Sequence, residues 1–364
     1  MTLSRKSANR YELERSALYG LRTVKALSKA LLWHDSPSSL RALSKKGDNF
    51  SEYEQVNRVT GKRRKVQAPK KCILVSDRDG CAGCARKKTI LAPIKDRSVP
   101  CSNRCVKSIQ KRLNILLKQI VVPAYLQSGI PGRSHLSNSK EHLQAVGATV
   151  TVDVSDFYPS ISRRRIFRLF RNVFFCAPDV ADVISDLVCF DGHLATGCPA
   201  SVLLSFFSCK DMFDMIDARA KRQGATFTLY IDAIAITGNG VGHGDLKFLS
   251  TTLSRFGFHS KKSKSKIFCK DQAKVVTGRA FRNGISRAPN RSHLRMRDAL
   301  SDSQASVNNL KKKRSAIGKL EHVSMLDEER GEQFKEKAKK MRSSLPPVGL
   351  RAKKKYVRGT VGDH

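Results

Sequence analysis

The sequence predicts an α+β fold, and three observations carry that expectation. Apolar residues recur at helical intervals in several stretches, as in Ile109, Leu113, Leu116, Leu117 and Ile120, and again in Ile166, Leu169, Phe170, Val173 and Phe174. Two runs have strand character instead: 146–154 (VGATVTVDV), and 226–237 (TFTLYIDAIAIT), which reads as two short strands around a tight turn. A highly charged helical stretch over 295–345 follows, and Pro346-Pro347 closes it.

The elements follow in order. Residues 10–47 read as one or two helices, with Leu13, Leu18, Leu21, Val24, Leu27, Leu31 and Leu32 at roughly helical spacing and a break at Ser36-Pro37. Residues 53–69 look extended and hold the basic cluster Lys62-Arg63-Arg64-Lys65, and 70–105 are irregular and rich in cysteine. An amphipathic helix runs from Val106 to Val121. The strand ending at Asp153 leads to a helix whose other face carries Arg163, Arg164, Arg165, Arg168 and Arg171. Further helices open near Asp179 and run from about Pro199 to Ala220. Asp245 can cap one more, which Gly257 closes. The chain contains no internal repeat.

Composition narrows the function. Of the 364 residues, 40% are hydrophobic and 27% charged, enough for one large or two ordinary domains. Lys and Arg number 69 against 31 Asp and Glu, a net charge of +38, and 16 of those cations against 7 acids fall within 311–364. Such self-repulsion points to a polyanionic partner, because counterion release on binding offsets the crowding of like charge. No run approaches the ~20 apolar residues of a membrane span, and the first residues lack the apolar core of a secretory signal. The expectation is a cytoplasmic protein with no membrane partner. Its ten cysteines then read as reduced thiols or metal ligands rather than a disulfide scaffold.

Two aspartates stand out. Asp153 ends a strand in the run Asp153-Val154-Ser155-Asp156-Phe157-Tyr158-Pro159-Ser160, and Asp232 sits in the turn Tyr230-Ile231-Asp232-Ala233. Strands disfavour Asp, and either acid alone reads most simply as a turn cap. Together they suit phosphoryl transfer, in which two Mg²⁺ ions about 3.5–4 Å apart are held by carboxylate oxygens.

The surrounding residues resemble reverse transcriptases. Thr151–Ser160 is similar to their motif A and Tyr230-Ile231-Asp232-Ala233 to their Tyr-x-Asp-Asp motif C; Leu194-Ala195-Thr196-Gly197-Cys198-Pro199-Ala200-Ser201 lies between them like motif B. Lys264-Ser265-Lys266-Ile267 resembles motif D, and Arg64-Lys65-Val66-Gln67-Ala68-Pro69 the fingers pattern Arg-x-Ile-x-x-Pro. Asn138-Ser139-Lys140-Glu141-His142 and Val276-Thr277-Gly278 are close to segments of bacterial retron enzymes, whereas Thr196 looks more like the defence-associated unknown-group enzymes. The resemblance covers about residues 10–345 and rests on motif order and spacing together.

That resemblance implies a right-hand polymerase. Fingers would span 1–145, a palm 146–285, a helical thumb 286–345 and a basic tail 346–364. It implies RNA-directed DNA synthesis on a dedicated structured non-coding RNA, a cDNA product, dNTPs as substrates, priming from a 3′- or a 2′-hydroxyl, and a role in anti-phage defence with an effector protein or a homo-oligomer as further partner. Asp153, Asp232 and the Val154 carbonyl would hold Mg²⁺, and Tyr158 would block a nucleotide 2′-hydroxyl. Arg64 and Lys62 would reach the triphosphate, with Asp156, Thr196 and Gly197 lining the nucleotide and primer site and Lys264 meeting the departing pyrophosphate. Ala233 departs from the pattern, which asks for Asp there. It reads either as a substitution that disables the enzyme or as natural loss, in which case the chain is a non-catalytic RNA-binding protein with a degenerate polymerase fold.

One cluster stands apart. Cys81-x₂-Cys84, sixteen residues, then Cys101-x₃-Cys105 has the spacing of a tetrahedral thiolate zinc site, and it would make 70–105 a small zinc-binding insertion. The plain alternative is unliganded thiols in a loop.

Overall fold

Local capping explains where the first helices begin. The Thr23 hydroxyl accepts the Ala26 N–H to start α1 (Val24–Leu31), and Ser36 does the same for Ser39 ahead of Pro37 in α2 (Pro37–Ser44). The structure is a computed structural model and describes residues 10–47, 49–53, 71–74, 89–92, 99–305 and 309–345. Strands β1 (Phe50–Tyr53) and β4 (Val99–Ser102) pair antiparallel, as do β2 (Lys71–Leu74) and β3 (Thr89–Ala92). Asn103 then caps α3 (Arg104–Lys118), which buries Val106, Ile109, Leu113, Leu116 and Leu117 as the spacing predicts.

After the short α4 (His135–Lys140), β5 (Ala148–Asp153) enters the main sheet. Helix α5 (Arg163–Arg168) passes into a π-turn over Leu169–Val173. Here the structure departs from the continuous 3.6-residue helix that the sequence predicts. Next come α6 (Pro178–Val188), the small hairpin β6 (Cys189–Phe190) and β7 (His193–Leu194), α7 (Ser201–Ser208) and α8 (Lys210–Arg222). The single helix expected over 199–220 is thus two, broken at Cys209, whose thiol lies 3.4 Å from the Arg165 guanidinium.

Strands β8 (Thr226–Tyr230) and β9 (Ala233–Gly238), helix α9 (His243–Arg255) and β10 (Lys266–Phe268) complete the first compact unit, residues 1–270. The Asp245 carboxylate accepts the Gly242 N–H from within the first turn of α9, so it caps that helix from inside rather than from its N-cap position. The main sheet has the order β10-β5-β9-β8, antiparallel throughout.

Strand alternation gives the sheet two unlike faces. Val150, Val152, Ile234, Ile236, Phe227 and Leu229 form a fully apolar face. The opposite face carries Thr149, Thr151 and Asp153 beside Thr237, Ala235 and Ala233, with Thr226, Thr228 and Tyr230 one strand further on. His142 covers part of that face: its Nδ1 is 2.8 Å from Thr237 Oγ1 and its Nε2 2.7 Å from Thr228 Oγ1, and it is 0% exposed.

The second unit, residues 271–364, holds the hairpin strands β11 (Lys274–Val276), β12 (Arg279–Arg282) and β13 (Ile285–Arg287) and the helices α10 (Asn290–Ala305), α11 (Leu310–Leu326) and α12 (Gly331–Ser343). Residues 271–285, read from sequence as part of a palm, cluster with this unit. Thr277 and Gly278 both have positive φ, the mark of the tight hairpin turn between β11 and β12.

Candidate active site

The register of the main sheet assembles the site. Asp153 is the direct ladder partner of Ala233, and the two side chains leave the same face. The chain crosses over just beyond, where the Val154 N–H donates to the Asp232 carbonyl at 3.0 Å. Asp153 and Asp232 therefore come together at the end of the sheet although 79 positions separate them in sequence.

The turn that carries Asp232 is strained. Ile231 has φ +61°, a value that a β-branched residue rarely adopts. Positive φ at the first central position is the sign pattern of the hairpin-favoured II′ turn, a place usually taken by glycine. Two supports hold it there. The Ser128 hydroxyl accepts the Ile231 N–H at 2.9 Å. Segment 125–128 lies along the free edge of β8, with Gln127 donating to the Leu229 carbonyl and Leu229 to the Tyr125 carbonyl, each at 2.8 Å.

Asp153 is 23% exposed, and its Oδ2 forms an ion pair with the Lys264 ammonium. The loop bearing Lys264 is fixed by backbone bonds from Lys261 N–H to the Asp153 carbonyl and from Ser155 N–H to the His259 carbonyl, both 2.8 Å. Asp156 is exposed with φ +43°, and its carbonyl accepts the Ser160 N–H at 2.9 Å. Next to it, Phe157 is buried against Phe213 and Phe258, which anchors the half-buried Tyr158. Burial pushes the Tyr158 phenol up, and the neighbouring Asp232 and Cys198 add to the shift. Tyr158, Asp232 and Cys198 thus share one electrostatic neighbourhood.

Cys198 was not singled out from sequence as a site residue. Its thiol is pushed up to about 11 by burial, and it follows Thr196, which is exposed, and the half-buried Gly197 in the turn before α7. Its sequence signal is its place in the run 194–201 that resembles motif B. Asp153, Val154, Asp156, Tyr158, Asp232, Ala233 and Lys264 all lie around this sheet end. Lys62, Arg64, Cys81 and Cys84, and the side chain of Cys101, lie outside the described residues, and Cys105 is exposed near the start of α3. Among the described residues, no three His, Cys, Asp or Glu side chains are placed together to hold a metal ion. On the sheet itself and its adjoining turn stand the carboxylates of Asp153 and Asp232, with Ala233 as the ladder partner of Asp153.

Over 147 residues the chain is 27% identical to the retron Se72 reverse transcriptase of Salmonella heidelberg (strain 579083-10), a match covering 40% of this chain and 38% of that protein. Over that stretch the chain is similar to a retron reverse transcriptase. The resemblance read from the motifs is borne out. The chain also aligns with a foamy viral protease-reverse transcriptase in complex with double-stranded DNA, at 15% identity and a TM-score of 0.40, over 68% of this chain and 36% of the other. Both matches therefore span well under two thirds of the relatives' own lengths. No family model matches the chain. Among the described residues, no helix is long and apolar enough to cross a membrane.

Proposed function

We propose that the chain is built as an RNA-directed DNA polymerase of right-hand design, with the main sheet in its palm and the helices of the second unit as its thumb. One observation carries the reading: Asp153 and position 233 are direct ladder partners on the polar face of the sheet, with Asp232 at the adjoining turn. An aspartate at 233 would complete three carboxylates beside an aromatic side chain.

The donor set decides what this chain can hold. Asp153, Asp232 and the Val154 carbonyl suit one Mg²⁺, a hard ion that takes oxygen ligands. A second does not fit, because the methyl group of Ala233 offers no oxygen. When bound, Mg²⁺ neutralises phosphate charge and favours in-line attack. The protein's own groups do the rest. Tyr158 excludes a 2′-hydroxyl by volume. Lys264, held near Asp153, meets the negative charge that builds on pyrophosphate. Arg64 and Lys62 grip the triphosphate, and Asp156, Thr196 and Gly197 border the nucleotide and primer. The template is a dedicated structured RNA, the product its cDNA and the setting anti-phage defence, alongside an effector protein or a second copy of the chain.

The chain as it stands is expected to be inactive or severely impaired, and Ala233→Asp to restore primer extension with dNTPs over rNTPs. A restored protein that binds template and dNTP yet incorporates nothing would overturn the reading. The competing reading, a non-catalytic RNA-binding protein with a degenerate polymerase fold, draws on Ala233 and on the lysine that already neutralises Asp153. It predicts that dead outcome. Cys81, Cys84, Cys101 and Cys105 form a structural zinc site in this proposal, so metal analysis of the purified chain should find zinc near one equivalent, and finding none removes that part.

A further inference from the structure

The π-turn after α5 ends in an unusual surface residue. The Phe174 N–H donates to the Leu169 carbonyl at 3.1 Å, one residue beyond the α-helical partner. The next residue, Phe175, has φ +53° and is 52% exposed. An aromatic side chain in left-handed backbone carries a backbone cost and here still leaves half of its surface to water.

A second ring is brought to it. Backbone bonds from Gly20 N–H to the Phe174 carbonyl and from Ala177 N–H to the Leu21 carbonyl, both 2.7 Å, lay segment 18–22 alongside. Tyr19 then sits with its ring centroid 5.6 Å from that of Phe175.

Cations border the pair. The Arg171 guanidinium donates to the Cys176 carbonyl at 3.1 Å, next door to Phe175. Arg22 directly follows Leu21, whose carbonyl accepts the Ala177 N–H at 2.7 Å, so the backbone brings it to the same segment. Arg164, Arg168 and Arg171 are exposed and spaced four and three apart, a stripe leading to Phe175. Among the described residues, none of Arg22, Arg164, Arg168 and Arg171 forms an ion pair.

We propose that Phe175 and Tyr19 form a stacking platform for unpaired RNA nucleotides, whose phosphates lie on Arg171, Arg168 and Arg22. Aromatic faces set among arginines are how proteins hold single-stranded nucleic acid, and unpaired RNA presents bases that can splay onto them. A chain of net charge +38 fits that occupant better than an apolar protein partner. The platform shares no residue with the candidate active site, so it goes beyond the polymerase reading and stands or falls apart from it.

The test uses the full chain and a fluorescein-labelled single-stranded RNA of about 12 nucleotides, a length in the range such surfaces bind. Phe175→Asn removes the ring while Asn tolerates left-handed backbone, so the unfolding midpoint should not fall. Its RNA affinity should drop about 5- to 20-fold, in the range of one lost stack, and Phe175→Trp should keep the parent affinity. RNA carrying 5-bromouridine should crosslink, on irradiation of the unaltered chain, to a peptide containing Phe175 or Tyr19. The proposal is overturned if Phe175→Asn binds within about twofold of the parent, or if no crosslink maps to a peptide containing Phe175 or Tyr19. Should Phe175→Asn fail to fold, the crosslink on the unaltered chain decides alone.

Discussion

At Ile231 a single backbone angle shows what holds the candidate site in shape. A β-branched residue at φ +61° costs on the order of 1–3 kcal/mol unless its surroundings fix it. The buried Ser128 hydroxyl does so by accepting the Ile231 N–H. Ser128→Ala should therefore destabilise the chain by about 0.5–1.5 kcal/mol, the usual net worth of a hydrogen bond at a half-buried backbone donor. Denaturant unfolding checks this as a lower midpoint at unchanged slope. Ile231→Gly, which removes the Cβ from the positive-φ position, should by contrast raise the midpoint or leave it unchanged. At this scale the sequence was legible where chemistry demands a residue type and illegible where geometry does. Asp153 and Asp232 stand out as acids at a strand end and a turn, and Tyr158 only through the resemblance of its motif. Ser128 lies 103 positions from its partner in an unremarked loop, and only the fold brings it to the turn.

The elements divide along the same line. Helices α3 and α6 follow from periodicity, since their apolar positions are buried at helical spacing, and β5, β8 and β9 follow from their β-branched and aromatic runs, although β8 and β9 are buried on both faces. The π-turn and the break at Cys209 do not, because an inserted residue or a kink preserves the apolar count while shifting the phase. What locks α5 against its neighbours is likewise tertiary. Arg163 pairs with Asp182 and, at 2.6 Å, with Asp186, and Lys45 reaches the same two acids at 2.8 and 2.7 Å, tying α2, α5 and α6 together. Burial pushes the Asp182 carboxyl up, but Lys45 and Arg163 outweigh it and hold it below its ordinary value. A carboxyl depressed in the folded state adds stability above its unfolded pKa of about 3.9, and that stability is lost as pH falls through the folded value. Asp182→Asn should flatten the acid limb of the stability curve below about pH 4 and leave the slope at neutral pH unchanged. Added salt should narrow the difference between the two proteins, since Asp182 is partly exposed.

For the whole molecule, the two compact units have separate cores and so should lose structure separately. In the first unit the apolar face of the main sheet is buried. In the second, Met296, Ala299, Ala316, Ile317, Leu320, Val323, Leu326 and Ala338 from the three helices are buried together with Val276 and Phe281 of the hairpins. Sequence showed a charged helical stretch over 295–345, and the resemblance began the thumb at 286, whereas the hairpins at 274–287 cluster with those helices. Their membership is set by which core they cover, and Phe281 and Val276 belong with the helices. Leu320 is fully buried in α11, so Leu320→Ala removes buried methylenes and leaves a cavity, worth about 2–5 kcal/mol. Hydrogen exchange followed by mass spectrometry separates the consequences. Amides in β11–β13 and α10–α12 should exchange faster by the factor that this cost sets, while amides of β5 and β9 keep their protection, since local opening follows local cooperativity. Equal loss of protection in both units would mean that residues 1–345 unfold as one cooperative body, and the division at Lys270 would then carry no energetic meaning.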